Sequence, residues 1–190
     1  LYVPRYSLLA TRYASYAWHV FWQGRKADAI LALDTVSAGY PATVANYFLR
    51  KHFFVRVVGD YAWEQGCARF NVKDSLDDFQ NRSYGETLER MRRMQKHVVN
   101  HATAIITPSQ YLAKIVSGWT NGLIPCRVIT NAVAVMPTIA PIIPASGERL
   151  LLSIGRLVPW KGMVELVEAF GDVIKQQPDA RLAIIGEGPD

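Results

Sequence analysis

Two cations in one short run carry the clearest chemistry in this sequence. In Leu152-Ser153-Ile154-Gly155-Arg156-Leu157-Val158-Pro159-Trp160-Lys161-Gly162 an apolar, β-rich stretch passes through a loop into a segment of helical period. Gly155 admits close backbone approach, Arg156 offers a planar fork of donors to phosphate oxygens, and Lys161 brings a mobile point charge to the positive end of the next helix. Two cations beside a helix N-terminus suit a diphosphate. Two solvated loop charges would be the plainer reading, but the next β-rich run, Leu182 to Ile185, ends in a glycine pair, Gly186-Glu187-Gly188. Ligands of open parallel sheets bind beyond the carboxyl ends of the strands, so adjacent glycine-marked strand ends favour an anion site.

A second constellation, Gly59-Asp60-Tyr61-Ala62-Trp63-Glu64, follows the apolar run Phe54 to Val58. Asp60 has two readings of equal weight: a carboxylate for acid–base work or ligand contact, and a cap for the following turn. Tyr61 and Trp63 offer ring faces and Glu64 a hydrogen-bonding carboxylate, a combination suited to a sugar, against the alternative that the rings fill the core. Cys67 and Cys126 stand 59 positions apart, with no C-x-x-C and no His at metal-ligand spacing. Both are expected to be reduced and buried, and no metal site is expected.

These residues need a scaffold, and the rest of the sequence supplies one. Of 190 residues half are apolar and 19% charged, which excludes disorder and fibrous repeats. β-Rich runs at Ala29 to Leu33, Phe54 to Val58, Thr103 to Thr107, Arg127 to Thr130, Leu150 to Ile154 and Leu182 to Ile185 alternate with helical patterns. That alternation predicts an α/β fold with parallel strands covered on both faces. Helices are expected over Pro41 to Lys51, Tyr84 to His101, Gln110 to Gly118 after the cap Ser109, and Trp160 to Gln177 ending at Pro178. The proline-rich stretch Ala134 to Gly147 reads as a stiff connector, giving domains over 1–146 and 147–190. The net charge of +5 is uneven: residues 1–147 hold 16 basic and 9 acidic side chains, and 148–190 hold 5 and 7.

Taken together, Ser153-Ile154-Gly155-Arg156, Lys161-Gly162, Glu168-Ala169-Phe170 and Leu182-Ala183-Ile184-Ile185-Gly186-Glu187-Gly188-Pro189 resemble the donor-domain opening of family 4 glycosyltransferases. Upstream, Ala104-Ile105-Ile106-Thr107-Pro108-Ser109 and Val128-Ile129-Thr130-Asn131-Ala132-Val133 are similar to the last elements of the same family's acceptor domain. The resemblance implies the GT-B architecture, two Rossmann-like parallel-sheet domains, both incomplete in this chain. It also implies transfer of a sugar from a nucleotide diphosphate sugar to a carbohydrate or lipid-linked glycan acceptor, with retention, without a metal and without a cofactor. Arg156 and Lys161 would stabilise the departing diphosphate, and Gly155, Gly186, Glu187 and Gly188 would line the donor pocket. Asp60, Trp63 and Glu64 would meet the acceptor. Three departures qualify it. Gly59-Asp60 stands where the family carries His-Gly, Ala132 stands where it carries Gly, and neither its first glycine-rich loop nor its later E-x7-E motif occurs in the 190 residues. The implied reading is a fragment, inactive alone.

Other classes remain to be weighed. A nucleotide-sugar epimerase or another GT-B enzyme would share the plan, and an inactive binding fragment would share the residues. A dinucleotide oxidoreductase needs G-x-G-x-x-G opening a helix, and Pro189 after Gly188 fits that poorly. Nucleic acid is not expected as a partner: Arg90, Arg92, Arg93 and Lys96 form one solvated helix face rather than a basic stripe. The opening segment, with Arg5, Arg12, Tyr13, Tyr16, Trp18, Phe21, Trp22, Arg25 and Lys26, has the composition of a surface lying on an anionic bilayer, against the alternative that its rings pack in the core. The expected location is therefore cytoplasmic, at the inner membrane face if that contact is made.

Overall fold

A computed structural model describes residues 9–134 and 149–188. The boundary expected at 146/147 and most of the proline-rich connector fall outside the described residues. The chain divides into two compact units, one formed by the residues up to Gly66 with Val72–Ala132, the other by Cys67–Asn71 with the residues from Val133 onward.

The first unit opens with helix α1 (Leu9–Gly24) and then alternates strands and helices: β1 (Ala29–Ala32), α2 (Gly39–Leu49), β2 (His52–Arg56), α3 (Tyr61–Arg69), α4 (Leu76–Asn81), α5 (Glu86–Asn100), β3 (Ala104–Thr107), α6 (Gln110–Trp119) and β4 (Cys126–Val128). The strands form one parallel sheet in sequential order, with Ala29 opposite His52, Phe54 opposite Ala104, and Ile105 opposite Cys126. Alternate residues Ala32, Phe53, Val55 and Ile105 point into a core completed by Ala42, Val98, Val99, Leu112, Ile115, Val116 and Trp119. The expectation of a sheet covered on both faces is corrected here. Sequential strand order with right-handed crossovers puts every connecting helix on one face, and Leu31 of the other face is more than half exposed among the described residues.

Local chemistry sets the helix starts. Ser109 accepts from the Leu112 N–H at 3.2 Å and Ser75 from the Asp78 N–H at 3.1 Å, both N-caps. Helix α5 begins at Glu86 rather than Tyr84, with Gly85 as its cap and Glu86 and Glu89 in its first turn. Tyr84 instead stacks on Phe79 with centroids 4.5 Å apart and donates to Asp74 at 2.7 Å. Burial, then that hydrogen bond, pushes its phenol up to about 12. Cys67 and Cys126 form no disulfide with each other, and where burial was expected both are only half-buried.

The second unit pairs β5 (Arg149–Ile154) with β6 (Ala180–Ile185), parallel and in register from Arg149 opposite Ala180 to Ile154 opposite Ile185. Helix α7 (Met163–Gln176) connects them. It begins three residues later than its apolar period suggests, because Pro159–Lys161 form a 3-10 turn and Gly162, at φ 65° and ψ 33°, breaks the α-helical run in a left-handed conformation. Of the stripe expected to form core, Phe170 is buried whereas Val167 and Ile174 are exposed among the described residues. One helix on two strands covers a single face. The α/β class with parallel Rossmann-like sheets is the fold the chain adopts.

Candidate functional site

In the second unit the two strand ends are locked together beyond the strands themselves. Gly155 N donates to Ile185 O and Leu157 N to Glu187 O, each at 3.0 Å, so residues 155–157 and 185–187 run on as paired backbone. A Cβ at position 186 would collide with the Gly155 carbonyl, and one at 188 with the Leu157 carbonyl. Neither glycine has a positive φ. Their reason is space between two main chains, which fixes the base from which Arg156 projects.

The loop above that base carries the two cations. Val158 is buried and anchors it, the Lys161 N–H closes the 3-10 turn on Val158 O at 2.9 Å, and Gly162 turns the chain into α7 with Glu165 in its first turn. Arg156 and Lys161 are both exposed, and neither forms an ion pair among the described residues. Glu187 and Gly188 are also exposed at the adjoining strand end. Both cations therefore stand on the loop between β5 and the 14-residue helix α7, without an ion-pair partner among the described residues.

Gly186→Ala tests the backbone lock. The colliding atom is main chain and cannot swing aside as a side-chain tip would, so we expect a loss of about 2 kcal/mol or more in denaturant unfolding. Gly171→Ala, on α7 with nothing within 4 Å of its would-be Cβ, is the control and should be neutral or stabilising. Equal midpoints for the two variants would overturn the assignment.

In the first unit the carboxyl edge holds the other sequence-predicted residues, in unequal roles. Asp60 is 1% exposed. Its Oδ1 accepts from the Trp63 N–H at 3.1 Å and from Gln95 Nε2 at 3.0 Å, and its Oδ2 from Gln80 Nε2 at 2.9 Å. It therefore caps α3 and ties α4 and α5 to the end of β2. Trp63 is half-buried, with Nε1 donating to Asp74 O at 2.9 Å. Glu64, half-buried, lays its carboxylate against Gly59, where a side chain would meet it.

Sequence reasoning missed several partners at this edge. Arg56 Nη2 donates to Asn131 Oδ1 at 2.6 Å, joining the ends of β2 and β4 across β3, and its Nε is buried without a partner among the described residues. Asp34, at the end of β1, accepts from the Ala38 N–H at 2.9 Å and sits near α1. Burial first, then Tyr61 and Asp34, raises the Tyr13 phenol; burial and Asp34 raise that of Tyr16. Tyr13, Tyr16, Tyr61 and Asp34 thus share a polar, half-buried neighbourhood. Asp34 was visible as a strand-end residue, whereas nothing in the spacing linked it to the α1 tyrosines.

The fold is thus an α/β chain of two parallel-sheet units, with a loop bearing two exposed cations after the first strand of the second unit. Known proteins share parts of it. Residues 138–190 match the family model described as glycosyl transferases group 1. The uncharacterized glycosyltransferase YqgM of Bacillus subtilis (strain 168) is 46% identical over 48 residues, 25% of this chain and 13% of that protein. A Listeria monocytogenes structure described as a UDP-N-acetylglucosamine 2-epimerase matches 97% of this chain and 47% of its own, with TM-score 0.58 at 14% identity. The GT-B-like fold expected from the sequence is borne out by that match. The chain spans about half the length of that solved relative.

Proposed function

We propose that this chain is part of a glycosyltransferase that moves a sugar from a nucleotide diphosphate sugar to a carbohydrate or lipid-linked acceptor. One observation carries the reading: Arg156 and Lys161 stand exposed and without ion-pair partners among the described residues, on the β5–α7 loop, within the stretch that matches the group 1 family. As the glycosidic bond to the leaving diphosphate breaks, negative charge grows on its oxygens. A guanidinium fork and an ammonium facing that charge lower the barrier more than they stabilise bound donor. Gly155, Gly186, Glu187 and Gly188 then form the donor-side wall. Charge neutralisation by side chains lets the reaction proceed without a metal, and the reading extends to retention of anomeric configuration. On the acceptor side, Trp63 and Glu64 are the contacts, with Asp60 positioning the helix that carries both. The protein works in the cytoplasm.

The experiment uses the full-length protein with a panel of nucleotide diphosphate sugars and glycan acceptors. Acceptor-dependent release of nucleoside diphosphate, undiminished by a chelator, is the expected result, and NMR of the product reads the anomeric configuration. Release that requires added divalent metal would remove the metal-independent step. Conversion of the donor sugar to its epimer with no acceptor present would replace transfer by epimerase chemistry.

A further inference from the structure

We infer that the outer face of α1 and α2 is a docking surface for an anionic lipid bilayer. This inference concerns a surface of the first unit and does not rest on sugar transfer. Helix α2 contains no charged residue over Gly39–Leu49. Its inner face, Pro41, Ala42 and Ala45, is buried, yet Val44, Tyr47 and Phe48, spaced i, i+3, i+4, are 44%, 77% and 69% exposed. A helix apolar on both faces is normally enclosed. On α1, Trp18 and Trp22, also i, i+4, are 61% and 46% exposed, with ring centroids 5.5 Å apart.

The two helices run side by side in the same direction. Tyr13 and Tyr40 meet near their N-terminal ends with centroids 6.1 Å apart, and at the other ends a Cβ on Gly24 would lie 2.7 Å from the Leu49 side chain. That packing brings the exposed rings to one end of the unit together with Arg25, Lys26, Arg50 and Lys51, against the single acid Asp28 in the turn after α1. The Arg25 guanidinium lies 4.9 Å from the Trp22 ring centroid. Trp and Tyr prefer the water–hydrocarbon boundary, where the ring body is apolar and its polar atom stays wet. Cations around such rings complement anionic headgroups. A side-by-side pair of helices bearing exposed rings and a positive rim fits a bilayer surface, and the excess of cations disfavours a second copy of the same basic face.

The test is co-sedimentation of the full-length protein with vesicles of phosphatidylcholine alone and of phosphatidylcholine with phosphatidylglycerol. Binding should appear on the anionic vesicles and weaken with salt. Lys26→Gln with Arg50→Gln should reduce partitioning roughly fivefold per cation, on the order of 25-fold for the pair. Tyr47→Ser with Phe48→Ser should reduce it at least about tenfold while leaving the circular dichroism spectrum unchanged, since both side chains project from the fold. Three results would each overturn the inference: equal binding to neutral vesicles, anionic binding indifferent to both double variants, or no vesicle binding with a dimer that Phe48→Ser abolishes.

Discussion

Arg156→Ala and Lys161→Ala should each lower kcat/KM for sugar transfer by more than about 100-fold, a loss of about 3 kcal/mol or more of transition-state stabilisation. The size follows from where the charges stand. Both side chains are exposed and make no ion pair with the described residues, so removing either takes little from the folded state. On the proposed reading, what is lost is a charge facing the oxygens of the leaving diphosphate, at the moment their charge grows. The loss should therefore fall mainly on kcat rather than on the KM for donor. Arg156→Lys keeps the charge but not the bidentate fork, and should recover only part of the rate. Because the two cations act on one group, the double variant should cost less than the product of the single effects. Steady-state kinetics with unfolding midpoints measured in parallel settles the matter. Near-normal kcat/KM in both single variants, or a loss explained by a lowered midpoint, would refute the diphosphate role.

The scaffold was legible wherever one physical signal dominated. Strands of parallel sheets announce themselves as short apolar runs, and the ends of all six described strands lie within two residues of the runs read from sequence. Helices with a clean apolar period and a cap, such as α6 behind Ser109, were equally plain. The elements not read are those whose order comes from tertiary partners. Helix α3 contains Gly66 and no Leu, Ile, Val, Met or Phe, and is held by Asp60 at its start. Helix α4 has only six residues and rests on Phe79, fully buried beneath it. Helix α1 was hidden because dense aromatic residues do not separate core from surface by type alone.

The site shows the same division. Arg156 and Lys161 could be named because their chemistry is local to one loop. Gly186 and Gly188 could be named but not explained, since the carbonyls that exclude their side chains belong to Gly155 and Leu157, on the neighbouring strand's extension. Arg56 could not be found at all: its partner Asn131 lies 75 positions away, and only the sheet brings them together. For Asp60 the sequence left acid–base work and capping evenly matched. Capping needed Gln80 and Gln95 to be placed around the carboxylate, and these come from α4 and α5.

That arrangement yields the second large effect, because the hydrogen bonds around Asp60 have a direction. Trp119 Nε1 donates to Gln80 Oε1 at 2.9 Å, Gln80 Nε2 donates to Asp60 Oδ2, and Gln95 receives the Ala62 N–H on Oε1 at 2.8 Å while donating to Asp60 Oδ1. Asp60→Ala strands the Trp63 N–H and two amide groups where water has little access, and should destabilise the first unit by about 3–4 kcal/mol in urea unfolding. Asp60→Asn is subtler. Its new NH2 would confront Gln80 Nε2, and flipping Gln80 merely turns its own NH2 toward the Trp119 N–H. We expect a cost of about 1–2 kcal/mol, since one donor stays unmatched however the chain is arranged. Gln80→Glu in the parent sets two carboxyl groups together and should also destabilise. Combined with Asp60→Asn it accepts from both the new amide and Trp119, so the double variant should be at least about 1 kcal/mol more stable than additivity allows. Additive costs would dissolve the network. Activity decides between capping and direct chemistry: well below its unfolding midpoint, the double variant should keep transfer within a few-fold of the parent, whereas a rate loss with restored stability would return Asp60 to the acceptor's reacting group.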